Sequence, residues 1–167
     1  MHTAADGVAI DIITTGDHWQ STWYPPSEVP TGTPHGSTGV CVVDGQVILV
    51  SHDRRYWEFP GGRPEAGEDW ADTLVREVSE EACATVLDCR LLGFSRGVCL
   101  RGPEKGLVLV RALWRAEVRL GEWMPEHEMV ERRLVNAERT WDALSLTAGW
   151  KPIYRRILAE AGIPAGE

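Results

Sequence analysis

Trp57-Glu58-Phe59-Pro60-Gly61-Gly62 is followed after five residues by Glu68, and after seven more by Arg76-Glu77-Val78-Ser79-Glu80-Glu81. Twin glycines admit backbone angles closed to other residues and let a phosphate or an ion approach the main chain closely. The stretch from Asp69 to Ala82 then reads as the strongest helix of the chain. Asp69 is placed to cap its first turn, and Asp72 adds favourable negative charge there. Ala71, Leu74, Val75, Val78 and Ala82 recur at helical spacing, so this face is expected to pack on a sheet. Glu77, Glu80 and Glu81 stand at i, i+3 and i+4 and share the remaining face.

A glutamate-rich helix face is ordinarily just the solvated side of an amphipathic helix. Two features argue for more. Like charges at i and i+4 destabilise a helix, and no lysine stands four residues after Glu77, Glu80 or Glu81 to relieve them. A divalent cation relieves them, and hard oxygen ligands suit Mg²⁺ or Mn²⁺. The glycine loop is the second feature, because Arg76 offers Glu68 a planar bidentate fork that fixes the loop on the helix.

Upstream, Val40-Cys41-Val42-Val43 and Val47-Ile48-Leu49-Val50 flank Asp44-Gly45, which predicts a tight β-hairpin. Val8 to Ile13 reads as a short strand. Trp23 to Ser37 holds Pro25, Pro26, Pro30 and Pro34 and is expected to be a stiff, extended connection. Residues 1–36 are therefore read as an N-terminal arm, 37–162 as the domain and 163–167 as a tail. Downstream, strands are expected at Arg90 to Phe94 and Leu107 to Val118, with helices at Ala137 to Leu144 and Trp150 to Ala161. Hairpins, a mixed sheet and covering helices make an α/β layered architecture.

The stretch from Gly62 to Ala84 resembles the Nudix box. That pattern runs Gly, five residues, Glu, seven residues, Arg-Glu, an aliphatic residue, any residue, Glu-Glu, any residue, Gly and an aliphatic residue. Gly62, Glu68, Arg76, Glu77, Val78, Glu80 and Glu81 fall on it without a gap, and Trp57 to Gly61 resembles the usual lead-in. Cys83 replaces the final glycine, and Ala84 takes the closing aliphatic position. A left-handed residue commonly ends a helix there, at a cost of about 1 kcal/mol for a non-glycine residue.

The resemblance implies a Nudix-like α/β/α sandwich around a mixed β-sheet. It also implies Mg²⁺- or Mn²⁺-dependent hydrolysis of a nucleoside diphosphate linked to another moiety. Metal ligands on this reading are Glu77, Glu80, Glu81 and the Gly61 carbonyl, with Glu68 and Arg76 supporting the site. Gly61 and Gly62 would also face the substrate. A further acid outside the box is common in the family, and Glu128 is the first candidate, with Glu131 the second. The rival class is a non-catalytic nucleotide-binding or regulatory module on the same fold. Retention of every box carboxylate argues against it.

Subfamily marks for ADP-ribose, dinucleoside polyphosphate, coenzyme A or NADH cleavage are missing, so the substrate stays open. Among eight tryptophans, Trp19, Trp23 and Trp123 fall in expected loops or the arm, where a ring can stack on a nucleobase. Trp123 is the favoured one. His35, His52 and His127 are candidate acids or bases that more often prove to be polar surface.

At 167 residues with 43% hydrophobic and 25% charged side chains, the composition fits one soluble domain. The net charge of -8 disfavours tracking a nucleic-acid duplex. No apolar run is long enough to span a bilayer, no secretory signal is recognisable at the N-terminus, and cytoplasmic residence is the expectation. Cys41, Cys83, Cys89 and Cys99 lack zinc-site spacing. The arm either crosses to a second subunit of a homodimer or packs on its own domain; both readings stay open.

Overall fold

Met1 and Glu167 lie outside the residues that the computed structural model describes, 2–166; the expected arm and tail begin and end on these two. The elements run β1 (Ala9–Ile13), β2 (His18–Tyr24), β3 (Thr33–Val43), β4 (Gln46–Ser51), β5 (Gly61–Gly62), α1 (Trp70–Ala82), β6 (Ala84–Arg101), β7 (Val108–Leu120), β8 (Glu131–Asn136), α2 (Thr140–Ala143) and α3 (Lys151–Ala161). One sheet holds all eight strands in the order β1-β2-β6-β7-β3-β4-β8, with β5 paired to β3 beside this path. β3 and β7 run parallel; the other neighbours are antiparallel. The sheet is therefore mixed, as expected.

The β3–β4 hairpin turns on Asp44 and Gly45 at φ 49° and 74°, the paired positive angles of a type I′ turn. Its strands explain the layering. Val40, Val42, Val47 and Leu49 face a cluster with Ile153, Ile157 and Leu158 of α3. Cys41, Ile48 and Val50 face the opposite cluster, with Leu74, Val78 and Ala82 of α1. Alternate residues of one strand thus meet different helices, which is why both runs are apolar throughout. Among the described residues no helix is long and apolar enough to cross a membrane.

The N-terminal segment departs from the expected arm. β2 pairs with β6 along its length, and β1 pairs with β2. Trp23 is wholly buried in the α3-side cluster, so it is a core residue and not a nucleobase platform. The overlooked signal was period-two alternation: Trp19, Ser21 and Trp23 point one way from β2. Between Trp23 and Ser37, irregular chain is confined to the connection between β2 and β3, while Pro34 sits at a register break in β3, where a missing N–H is tolerated.

Two other expectations shift. β6 is far longer than Arg90 to Phe94, and bulges near Val86 and Leu91 break its alternation. β8 was not anticipated. It pairs with β4, and its Arg132 and Arg133 lie over the rings of Trp123 and Trp57.

Helix α1 has the expected cap, with Asp69 accepting from the Asp72 amide in a reciprocal capping box. Its buried face is rotated from the expected one: Val75 is exposed while Glu81 is buried. At its end Cys83 keeps the left-handed conformation, φ 51° and ψ 45°. Its carbonyl accepts from the Gly121 amide and from Arg132 Nη1, so both neighbours depend on that geometry. Cys83→Gly should relieve the left-handed strain and stabilise the protein by about 0.5–1 kcal/mol. A denaturation midpoint that stays put or falls would contradict this assignment of strain.

Candidate active site

The glycine loop is tied down on three sides. Ser37 and Thr38 of β3 pair with Gly62 and Gly61 of β5. The Gly39 amide donates to the Pro60 carbonyl at 2.9 Å. The buried Ser37 hydroxyl donates to the Trp70 carbonyl at 2.6 Å, linking β3 to the start of α1. Neither glycine has room for a side chain. A Cβ on Gly61 would strike the Ser37 carbonyl, and one on Gly62 would enter the Glu77 carboxylate. Close approach of the β3 backbone thus requires glycine at 61, while a side chain at 62 would displace the Glu77 carboxylate.

Arg76 organises the acids. Its Nε and Nη2 donate to the two oxygens of Glu68 at 2.7 and 2.9 Å. Nη1 donates to Glu77 at 2.8 Å and Glu80 at 3.2 Å, and Nη2 reaches the Arg63 carbonyl. The relief for the glutamate row that no downstream lysine provides comes from this guanidinium. Arg76 holds the Glu68 carboxyl down at about 2, helped by the Glu65 amide.

Glu81 is different. Its carboxylate accepts from the Gly61 amide at 2.8 Å and is 8% exposed. Burial, reinforced by Glu77, Glu58 and Glu128, pushes its pKa up to about 7. Burial also raises Glu77, against the pull of Arg76. Two carboxyls are therefore held where ionisation is costly.

Gly61, Gly62, Glu77, Glu80, Glu81 and Glu128 line one open cleft of about 850 Å³. Glu128 is carried there by the buried Met129 beside it and by the Val130 amide, which donates to Ser51. Glu131 is not a lining residue and pairs with Arg54 at 3.2 Å. Trp123 lines neither this cleft nor its neighbour; it packs against the α1-side cluster beneath Arg132. Its Gly121-to-Pro125 loop passes the C-terminal end of α1, where the Gly121 amide donates to the Cys83 carbonyl. His127 lines the glutamate cleft, His35 lines the neighbouring cavity, and His52 stands 3.8 Å from Asp53.

The donors fit a hard divalent ion. They are carboxylate oxygens, two of them on buried groups that a cation would stabilise in the charged form. Among the described residues no three such side chains already stand at ligand spacing, since Arg76 draws Glu77 and Glu80 while Glu81 turns to Gly61.

A second cavity of about 500 Å³ meets the cleft at Gly61. Trp19, Tyr56, Trp150 and Tyr154 give it aromatic walls, and Arg111 of β7 and Glu58 enter it. Arg111 and Glu58 escaped the reading of the sequence. For Arg111 the signal was there: a lone arginine interrupts the otherwise apolar run from Leu107 to Trp114.

A family model described as NUDIX domain matches residues 33–161. The Bacillus subtilis protein named putative 8-oxo-dGTP diphosphatase YtkD is 34% identical over 79 residues, 47% of this chain and 47% of its own length. The mouse protein named nucleoside diphosphate-linked moiety X motif 6 is 48% identical over 63 residues, 34% of this chain and 20% of its own length. The chain thus spans less than half the length of these curated relatives. Among solved structures, the Bacillus subtilis pyrophosphohydrolase BsRppH superposes with a TM-score of 0.65 at 21% identity, covering 90% of this chain and 96% of that one. At that identity the likeness is one of fold.

Proposed function

The chain belongs to the Nudix family, and from that premise we propose that it is a Mg²⁺- or Mn²⁺-dependent pyrophosphohydrolase cleaving a nucleoside diphosphate linked to another moiety. The observation that carries this reading is the convergence of Glu77, Glu80, Glu81 and Glu128 with the glycine loop on one cleft, two of the acids held where ionisation is costly. The name of one sequence relative, a putative diphosphatase, supports anhydride chemistry.

Glu77, Glu80 and Glu81 would hold the ion with the Gly61 carbonyl, and Glu128 supplies the further acid. When bound, the ion neutralises phosphate charge and acidifies water. The chain's own groups do the rest. Glu68 anchors Arg76, and Arg76 holds Glu77 and Glu80 on one side of the cleft until a divalent ion competes for them. β5 presents its backbone to the phosphates without an intervening side chain.

The test is a panel of nucleoside triphosphates including 8-oxo-dGTP, nucleotide sugars and dinucleotides, scored for phosphate products with and without Mg²⁺. Cleavage of at least one class, only with the ion, is expected. Tight binding without cleavage anywhere on the panel would favour the binding-module reading instead.

A further inference from the structure

Arg111 is a cation that the proposed chemistry has not yet used. Burial penalises its charge, yet among the described residues it has no carboxylate within salt-bridge distance. Its side chain makes one hydrogen bond, from Nη1 to the Thr38 hydroxyl at 2.9 Å. Most of its five donors are therefore unspent in a wall where an uncompensated charge is expensive.

Its position is specific. Thr38 pairs with Gly61 across the β3–β5 ladder. A Cβ on Gly36 would meet both Arg111 Nη1 and the Gly62 carbonyl. The guanidinium thus lies against the glycine loop because residue 36 has no side chain, at the point where the aromatic cavity opens into the glutamate cleft. Beyond it stand Trp19 and Trp150. The Trp19 ring is laid over Gly97, whose Cβ would come within 3.3 Å of it. A cavity of about 500 Å³ with aromatic walls, the Arg111 cation and the carboxylates of Glu58 and Glu104 on its lining suits a single nucleoside.

We propose that Arg111 anchors the phosphate that carries the nucleoside, so that the base enters the aromatic cavity and the rest of the anhydride is directed onto the glutamates. The substrate class is then a mononucleoside polyphosphate or a conjugate with one nucleoside in this cavity. The proposal rests on the hydrolase reading above, but binding alone tests it. A planar fork suits two oxygens of one phosphate, and an incoming anion compensates the buried charge.

The experiment compares wild type, Arg111→Met and Arg111→Lys by calorimetric titration with the four common nucleoside monophosphates and their matched nucleosides, at constant Mg²⁺. In Arg111→Met, monophosphate affinity should fall about 10- to 100-fold, the worth of hydrogen bonds to a charged group. Nucleoside affinity should be unchanged. Arg111→Lys should recover part of the loss. The ligand-free melting temperature of Arg111→Met should hold or rise, because an uncompensated buried charge has gone; a merely structural arginine would lower it. Unchanged monophosphate affinity would overturn the proposal. So would equal loss of monophosphate and nucleoside, or a wild type that binds none of the monophosphates. Loss of Mg²⁺-dependent cleavage across the earlier panel, with this binding pattern intact, would overturn the hydrolase reading alone.

Discussion

Above pH 7, Glu81→Gln is expected to make the metal-free protein more stable and, with Mg²⁺ present, to remove the proposed hydrolase turnover. The Glu81 carboxyl is raised from an ordinary 4.5 to about 7 in the fold, chiefly by burial. A raised carboxyl costs nothing below its unfolded value. The cost grows as pH climbs through that value and levels off above about 7. At about 1.4 kcal/mol per pKa unit the gain from glutamine is at most about 3.5 kcal/mol. Glutamine keeps an oxygen for the Gly61 amide, so the loop retains its tether. Turnover should nonetheless fall by about a thousandfold or more, because one of the proposed charged ligands is gone. Denaturant titrations at acid and alkaline pH give the check. The variant's advantage should vanish near pH 4.5, and a variant less stable than wild type at alkaline pH would refute the account of the buried charge. Opposite signs for the two effects are what the proposed ligand role of Glu81 requires, since a group placed for binding costs the metal-free fold stability.

The second large effect concerns the N-terminal hairpin. Trp23→Ala should cost about 3–5 kcal/mol, a large share of the stability of an ordinary domain. Trp23 is 0% exposed, and its ring fills the space over Gly93, where a Cβ would enter it. Among the described residues its buried indole N–H has no partner, so Trp23→Phe should lose packing area but no hydrogen bond and cost much less. Urea unfolding monitored by circular dichroism separates the two variants. If the alanine variant matched wild type, residues 18–24 would be the loose arm that the prolines suggest and not a working part of the sheet.

The glutamate row, its glycine loop and the β3–β4 hairpin were legible because each is written locally. Helix period, capping by Asp69, the Asp44-Gly45 turn and fixed offsets from Gly62 to Glu81 need no distant partner. The errors share a cause. Val75 follows the helical period yet faces solvent, and Glu81 breaks it yet is buried, because the tilt of α1 on the sheet is set by β3, β4 and β6. β6 hides its length behind bulges. Trp23 was judged by the prolines that follow it, although its pairing partners lie on β6 at Phe94 and Ser95.

The Nudix-box pattern, its acidic residues and the central hairpin could be read along the chain, since spacing and turn chemistry are local properties. Only the tertiary structure decided which acid stands with the cleft, Glu128 and not Glu131, and that Trp123 packs beneath Arg132 away from it. It alone brought Arg111 against a loop fifty residues earlier. Such choices depend on strands distant in sequence meeting through backbone hydrogen bonds and on which side chains the shared core then excludes from water. Neither leaves a periodic trace along the chain.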